Sequence, residues 1–422
     1  MKRKLFSEFP KQIKYIVGTE ACERFSFYGM NSILVIFMVK HLRFNEPDSE
    51  AIYHLFISGC YLLSLLGAYL SDQLMGRYKT ILFLSLFYCL GHGALAVWDN
   101  RMGLYLGLVL ISLGAGGVKP CVSSFVADQF TDKQSGLIQK VYDIFYFSIN
   151  FGSVFSSLLI PVLLVKYGPS VAFAIPGILM GAAVFVFWLG RKDYRHVPPS
   201  REIKEKRNWK QTFKILWPIM KVFGAVSFFW SLWFQTHASW VLQAEKMQRN
   251  YFGVEIQSSQ MPSLNPIFVM LLIPLTSLVI YPWLERRGFR MNALRRMVWG
   301  MYFAAAAFVT VTLIQLPLDQ GVQISVFWQV IPSVIMALSE VMVSISGLEF
   351  AYTQAPQSMK SMVMSLWFLT LFFGNLFTAI ISKFDWFEGS HYFLFFAILM
   401  LGVSVAFSWV ANNFRKKQPA YA

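Results

Sequence analysis

Apolar residues run along the chain in stretches of twenty or so, each closed off by a short cluster of Gly, Pro, acidic or basic residues. At ~1.5 Å rise per residue such a stretch crosses a ~30 Å hydrocarbon core as a helix. The punctuation marks twelve spans, at about 12–40, 50–74, 78–98, 103–125, 139–166, 170–190, 211–240, 260–284, 292–316, 323–353, 358–383 and 390–414. Hydrocarbon offers the backbone no hydrogen bonds, so spans of this kind fold as helices. The pattern predicts an all-α polytopic membrane protein.

Composition narrows the class. Of 422 residues, 56% are hydrophobic and 14% charged, with a mean hydropathy of +0.50. Soluble chains carry ~25% charged residues, so a water-soluble enzyme is excluded. The formal charge of +15 invites a nucleic-acid partner, but its placement decides against one. With the N-terminus inside, most of the 37 Lys and Arg fall in the terminal segments and the 2–3, 4–5, 6–7, 8–9 and 10–11 turns. That is the cytoplasmic excess of the positive-inside rule. The expected location is the plasma (inner) membrane, both termini cytoplasmic, with lipid as surroundings and a monomer as the working unit. The basic start Met1-Lys2-Arg3-Lys4 is followed by no cleavage-site pattern and reads as leading into a retained first span. Cys22, Cys60, Cys89 and Cys121 lie inside predicted helices without ligand spacing. They read as packing residues, and no metal or cofactor is expected.

The longest connection, 191–210, holds Pro198-Pro199 and eight basic residues. It reads as a cytoplasmic linker between a six-helix half at 1–190 and another at 211–422. A weak repeat supports the division. The turn Asp72-Gln-Leu-Met-Gly76-Arg77 resembles the acid-x-x-x-Gly-basic signature of the major facilitator superfamily, and Glu285-Arg286-Arg287-Gly288 stands at the matching turn of the second half. Paired six-helix repeats imply a major facilitator fold, with substrate held near mid-membrane.

Charges inside spans cost ~2.5–3.5 kcal/mol each on insertion scales and need a partner or a purpose. Glu20, Glu23, Arg24, Tyr28 and Asn31 share one face of span 1. Lys119 stands in Gly116-Gly117-Val-Lys119-Pro120, where small residues permit close helix approach and proline loosens the turn. Glu340 and Ser344 lie one turn apart in span 10, ahead of Gly347. Glu20, Glu23 and Glu340 against Arg24 and Lys119 leave one negative charge, which a bound proton would cancel. A static ion-pair brace is the competing explanation. A carboxylate in one half and cations in the other suit a zwitterion.

These residues also spell a family. Glu20-Ala-Cys-Glu23-Arg24-Phe25-Ser26-Phe27-Tyr28-Gly29 resembles the ExxERFxYYG motif of the proton-dependent oligopeptide transporters. Gly116 to Ser123, continuing to Asp128-Gln129-Phe130, and Phe145-Tyr146 to Gly152-Ser153 are similar to two further signatures. In the second half, Phe229-Trp230-Ser-Leu-Trp-Phe234-Gln235, Leu264-Asn265-Pro266, Glu340 to Glu349, Ala355-Pro356 and Trp367 continue the likeness. The resemblance implies symport of di- and tripeptides with protons by alternating access. It implies that Glu340 holds the peptide amino terminus and Arg24 with Lys119 its carboxylate, while Glu20, Glu23, Arg24, Lys119 and His54 handle the proton. Asn150 and Asn265 would bond the peptide backbone. Tyr28, Tyr61, Tyr146, Trp230 and Trp367 would line side-chain pockets, with Ser344 beside them. His92 and His237 have no family counterpart and read as packing residues.

The departures matter too. Asn31 and Phe234 stand where family members often carry charges that pair at the outer gate. Losing both ends of an ion pair costs far less than losing one, so a hydrophobic latch is expected there. The short linker leaves out the two extra spans of many bacterial members, and the Leu316–Gln323 loop leaves no room for the outer domain of animal members. A carrier of another small zwitterion or anion, such as nitrate or an amino acid derivative, and a carrier without coupling are the alternatives. No HExxH, GxSxG or paired catalytic constellation supports a membrane enzyme.

Overall fold

The structure, a computed structural model, describes residues 9–130, 135–199, 209–354 and 360–417. Met1–Lys4, the 200–208 stretch of the linker and Ala355-Pro356 lie outside the described residues. The apolar runs fold as helices: α1 (Ile13–Ile36), α2 (Glu46–Tyr69), α3 (Arg77–Val97), α4 (Arg101–Asp128), α5 (Ser135–Tyr167), α6 (Pro169–Leu189), α7 (Trp209–Trp233) and the short α8 (Ser239–Glu245). They continue as α9 (Leu264–Leu275), α10 (Tyr281–Arg286), α11 (Ala293–Asp319), α12 (Val330–Glu340), α13 (Ser346–Gln354), α14 (Lys360–Phe384) and α15 (Gly389–Lys417).

Among the described residues, eleven helical segments are long and apolar enough to cross a membrane. The twelfth span is α1, 24 residues long but marked by Lys14, Glu20, Glu23 and Arg24. The π-helical turns Phe37–His41, Leu70–Met75, Thr276–Ile280 and Val341–Ile345 widen the spans, and the 3₁₀ segment Phe234–His237 ends α7. Wide and tight turns of this kind often mark functional positions, because they re-aim side chains that a regular helix would hold in register.

Contacts divide the chain into two compact units, Met1–Arg43 with Gly59–Ile203, and Phe44–Ser58 with Lys204–Ala422. Helix α2 is thus shared. Its first half carries Glu50, His54 and Ser58, and Ser58 Oγ donates to the Phe372 carbonyl at 3.0 Å inside the second unit. In the first unit α1 packs on α5 and α6, and α3 on α4 and α6. In the second, α11 packs on α15 and α12, and α7 on α14. Large apolar side chains such as Phe147, Phe151 and Phe155 stay exposed, as a lipid-facing surface allows.

The acidic-to-basic turn between α2 and α3 is held by a three-part ion network. Arg77 lies 3.8 Å from Asp72 and makes two short bonds to the Asp128 carboxylate at the end of α4. The connection after α8 forms a small antiparallel hairpin, Asn250–Tyr251 with Val254–Glu255, turned by Phe252 and Gly253 at φ 53° and 80°. That hairpin was not anticipated from hydropathy, because its strands are only two residues long and carry no periodic signal.

Candidate functional site

In the first unit the charged face of α1 closes on itself. Arg24 Nε stands 3.1 Å from Glu20 Oε1 and pairs with Glu23, and all three side chains are at least nine-tenths buried. One guanidinium therefore serves two carboxylates. Gly152 of α5 makes room for this face: a Cβ there would come 3.0 Å from the Ala21 carbonyl and 3.4 Å from Arg24 Cβ.

Lys119 is held differently. Its Nζ lies 3.8 Å from the centroid of the Phe27 ring and 4.9 Å from that of Tyr61, cation–π contacts that keep the ammonium without neutralising it. Among the described residues no carboxylate lies within 4 Å of it. Pro120 next in the helix has no N–H for the preceding turn.

Of the other residues expected in this half, Tyr28 packs edge-on against Phe27 at 5.6 Å. Asn150 Nδ2 donates to the Tyr146 carbonyl at 2.9 Å, while the Tyr146 ring is exposed and Asn31 is buried in α1. His92 is a packing residue by its contacts, bonded to Ser26 Oγ at 2.8 Å and stacked on Tyr88 at 5.3 Å.

In the second unit the centre is Glu340. Its Oε2 accepts from Trp233 Nε1 at 2.8 Å and from Asn265 Nδ2 at 2.9 Å. Both donors are neutral, and among the described residues no cation lies within 4 Å. The π turn Val341–Ile345, which contains Ser344, begins directly after it. Trp230 stands at right angles to Trp233 and Trp367, at 5.6 and 6.2 Å. The outer edge of the Trp367 ring abuts Gly347, where a Cβ would come 2.5 Å from it. Phe234 is buried against Trp233 at 4.7 Å.

His54 has a defined tautomer. Asn375 Nδ2 donates to the Leu371 carbonyl at 2.9 Å, which turns its Oδ1 toward His54 Nδ1, also at 2.9 Å. An amide oxygen only accepts, so Nδ1 carries the hydrogen and Nε2 keeps a lone pair. Nε2 is buried without a hydrogen-bond partner among the described residues. His237 bonds Thr236 Oγ1 at 2.9 Å and packs 5.5 Å from Trp233.

Sequence reasoning missed Trp233 and Asn375. Trp233 sits in a quoted motif, three residues after Trp230, but nothing in its spacing says which indole reaches the carboxylate. Asn375 lies 321 positions from His54 and carries no local signal.

Among the described residues, twelve spans with charges buried inside them are those of an integral membrane protein of the major facilitator fold. A model of the POT family matches residues 78–210 and 202–388. Solute carrier family 15 member 2 of Mus musculus is 35% identical over 401 residues, 82% of this chain and 54% of its own length. Solute carrier family 15 member 1 of Rattus norvegicus is 32% identical over 373 residues, 74% of this chain and 52% of its own. Among solved structures, an auto-inhibited POT family peptide transporter superposes with a TM-score of 0.89 at 36% identity, covering 96% of this chain and 97% of that one. The POT family transporter PepTSo gives 0.91 at 34% identity, over 97% and 99%. The chain belongs to the POT family. It spans about half the length of the curated relatives it matches.

Proposed function

We propose that this protein is a proton-coupled symporter that imports di- and tripeptides by alternating access, as a monomer in the plasma (inner) membrane with both termini cytoplasmic. The halves 1–190 and 211–422, joined by the 191–210 linker, would be the moving parts. One observation carries the reading. Among the described residues Glu340 is a carboxylate held by neutral donors, and Lys119 is an ammonium held on aromatic faces. Among the described residues neither charge has a counter-ion within 4 Å, and their signs are those that a peptide's two termini would satisfy. Peptides share termini and backbone but not side chains, so fixed charges and amides can recognise all of them while aromatic walls accept the rest. The solved POT structures at 34–36% identity, one of them named as a peptide transporter, support the substrate class.

In this mechanism Glu340 takes the peptide ammonium, and Arg24 with Lys119 takes the carboxylate. Asn150, Asn265 and Ser344 bond the backbone, and Tyr28, Tyr61, Tyr146, Trp230 and Trp367 line the pockets. Arg24 already serves both Glu20 and Glu23. A peptide carboxylate competing for it releases a buried glutamate, which must then hold a proton to remain in the membrane interior. Binding and protonation are coupled through that competition. Lys119 and His54 complete the proton-handling set. The inward drive is the pH gradient plus the membrane potential, worth ~2.3 kcal/mol per charge per 100 mV.

A competition panel on purified protein in liposomes tests the substrate. Uptake of a labelled dipeptide falls with several unrelated dipeptides and tripeptides and not with their free amino acids. Inhibition by nitrate or single amino acids, with none by peptides, would assign a different cargo.

A further inference from the structure

The second unit contains a cavity of about 490 Å³ that the peptide mechanism does not use. It lies where α2 begins, α8 and α11 end, and α14 turns into α15. With the basic turns in the cytoplasm, as proposed above, this is the outer end of the unit. Besides Glu50, the charged and titratable groups facing it are Glu46 at the start of α2, Lys246 after α8, Asp319 at the end of α11, Asp385 after α14, and Glu388 and Tyr392 at α15. With Glu50, five carboxylates against one ammonium give the cavity a negative field, which gathers protons.

Glu50 differs from Glu46 and Asp319. Glu46 is occupied by Lys246 at 2.8 Å, and Asp319 by Gln315 Nε2 and the Ser390 N–H at 2.8 and 2.7 Å. Glu50 is 8% exposed, and its Oε2 accepts from Ser382 Oγ at 3.1 Å, which in turn is bonded to Tyr392 Oη at 3.1 Å. Among the described residues no cation lies within 4 Å of it. A buried carboxylate with hydroxyl partners and no counter-charge is not a structural ion pair.

His54 follows four residues later, on the same face of α2. Its Nδ1 is committed to Asn375, and its buried Nε2 is the one basic atom it has to offer.

We propose that Glu50 is a proton-loading residue: it takes a proton from the water of this cavity and passes it along one helical turn to His54. In the transfer the O–H bond at Glu50 breaks and an N–H bond forms at Nε2. Glu50 returns to carboxylate, and His54 becomes imidazolium. The inference rests on the proton-coupled reading above and adds an entrance to it.

The full chain in liposomes tests it, with wild type, Glu50→Gln and Glu50→Asp compared in two assays. Proton-driven uptake of a labelled dipeptide needs the loading step, whereas peptide counterflow at equal pH needs binding and the conformational cycle but no net proton entry. Glu50→Gln lowers driven uptake about tenfold and alters its pH profile, with counterflow held within about twofold and Glu50→Asp recovering most of the loss. Driven uptake and a pH profile unchanged in Glu50→Gln would overturn the inference. So would equal losses in both assays, or a Glu50→Asp protein as impaired as Glu50→Gln. If the wild type itself ignored the gradient, the proton-coupled reading would fall and take this inference with it. A responsive wild type matched by Glu50→Gln removes the inference alone.

Discussion

The indole N–H of Trp233 donates to Glu340 Oε2 at 2.8 Å, fixing the rotamer of a carboxylate that has no cation within 4 Å among the described residues. Hydrogen bonds to charged groups are worth ~1.5–3 kcal/mol, and Asn265 supplies a second one. Trp233→Phe keeps the ring and removes the donor. The bond is present without peptide, so only part of its worth bears on binding, and equilibrium binding of a dipeptide should weaken by about three- to tenfold. Binding unaffected by Trp233→Phe but lost in Trp233→Ala would make the residue a packing element only.

Glu340 itself separates two classes of ligand. Glu340→Gln leaves a group of the same shape that still accepts from Trp233 and Asn265 but carries no charge. Affinity for peptides with a free amino terminus should fall by about ten- to a hundredfold, with N-acetylated peptides changed far less. Equal losses for both would show that Glu340 does not hold the ammonium.

Lys119 stands on the rings of Phe27 and Tyr61 rather than in an ion pair. Lys119→Ala should abolish gradient-driven accumulation. Lys119→Arg is the sharper variant, since a guanidinium keeps the charge but does not give up its proton. It should retain peptide binding and lose accumulation against a gradient. Undiminished concentrative uptake in both variants would remove Lys119 from the coupling.

Two glycines hold the sites at contact distance. A Cβ on Gly347 would meet the Trp367 ring at 2.5 Å, and one on Gly152 would press on α1 beside Arg24. Overpacking of this kind costs ~1–3 kcal/mol. Gly152→Val should lower the melting temperature in detergent. Gly347→Ala should displace Trp367, changing the ranking of peptides by side-chain size more than their common affinity. A Gly347→Ala protein with an unchanged ranking would detach Trp367 from the side-chain pocket.

Much of the architecture was legible because a bilayer imposes length and hydropathy on every span. The charges of α1 and Lys119 stood out for the same reason: a charge among apolar residues is conspicuous. What could not be read is which neutral side chain serves a given charge. Trp233 reaches Glu340 because α7 ends there and the chain tightens to a 3₁₀ turn at Phe234, a local event with no compositional mark. The sharing of α2 rests on pairings more than 300 positions apart, Ser58 with Phe372 and Glu50 with Ser382. Hydropathy assigned all of α2 to the first half, since its apolar pattern continues without a break through Ser58 and Gly59.

The most direct measurement is uptake of a labelled dipeptide into liposomes containing the purified chain, with an inward proton gradient imposed and then collapsed by a protonophore. The account predicts accumulation above the external concentration while the gradient lasts, and a return to simple equilibration when it is removed. Uptake indifferent to both the gradient and the protonophore would contradict it.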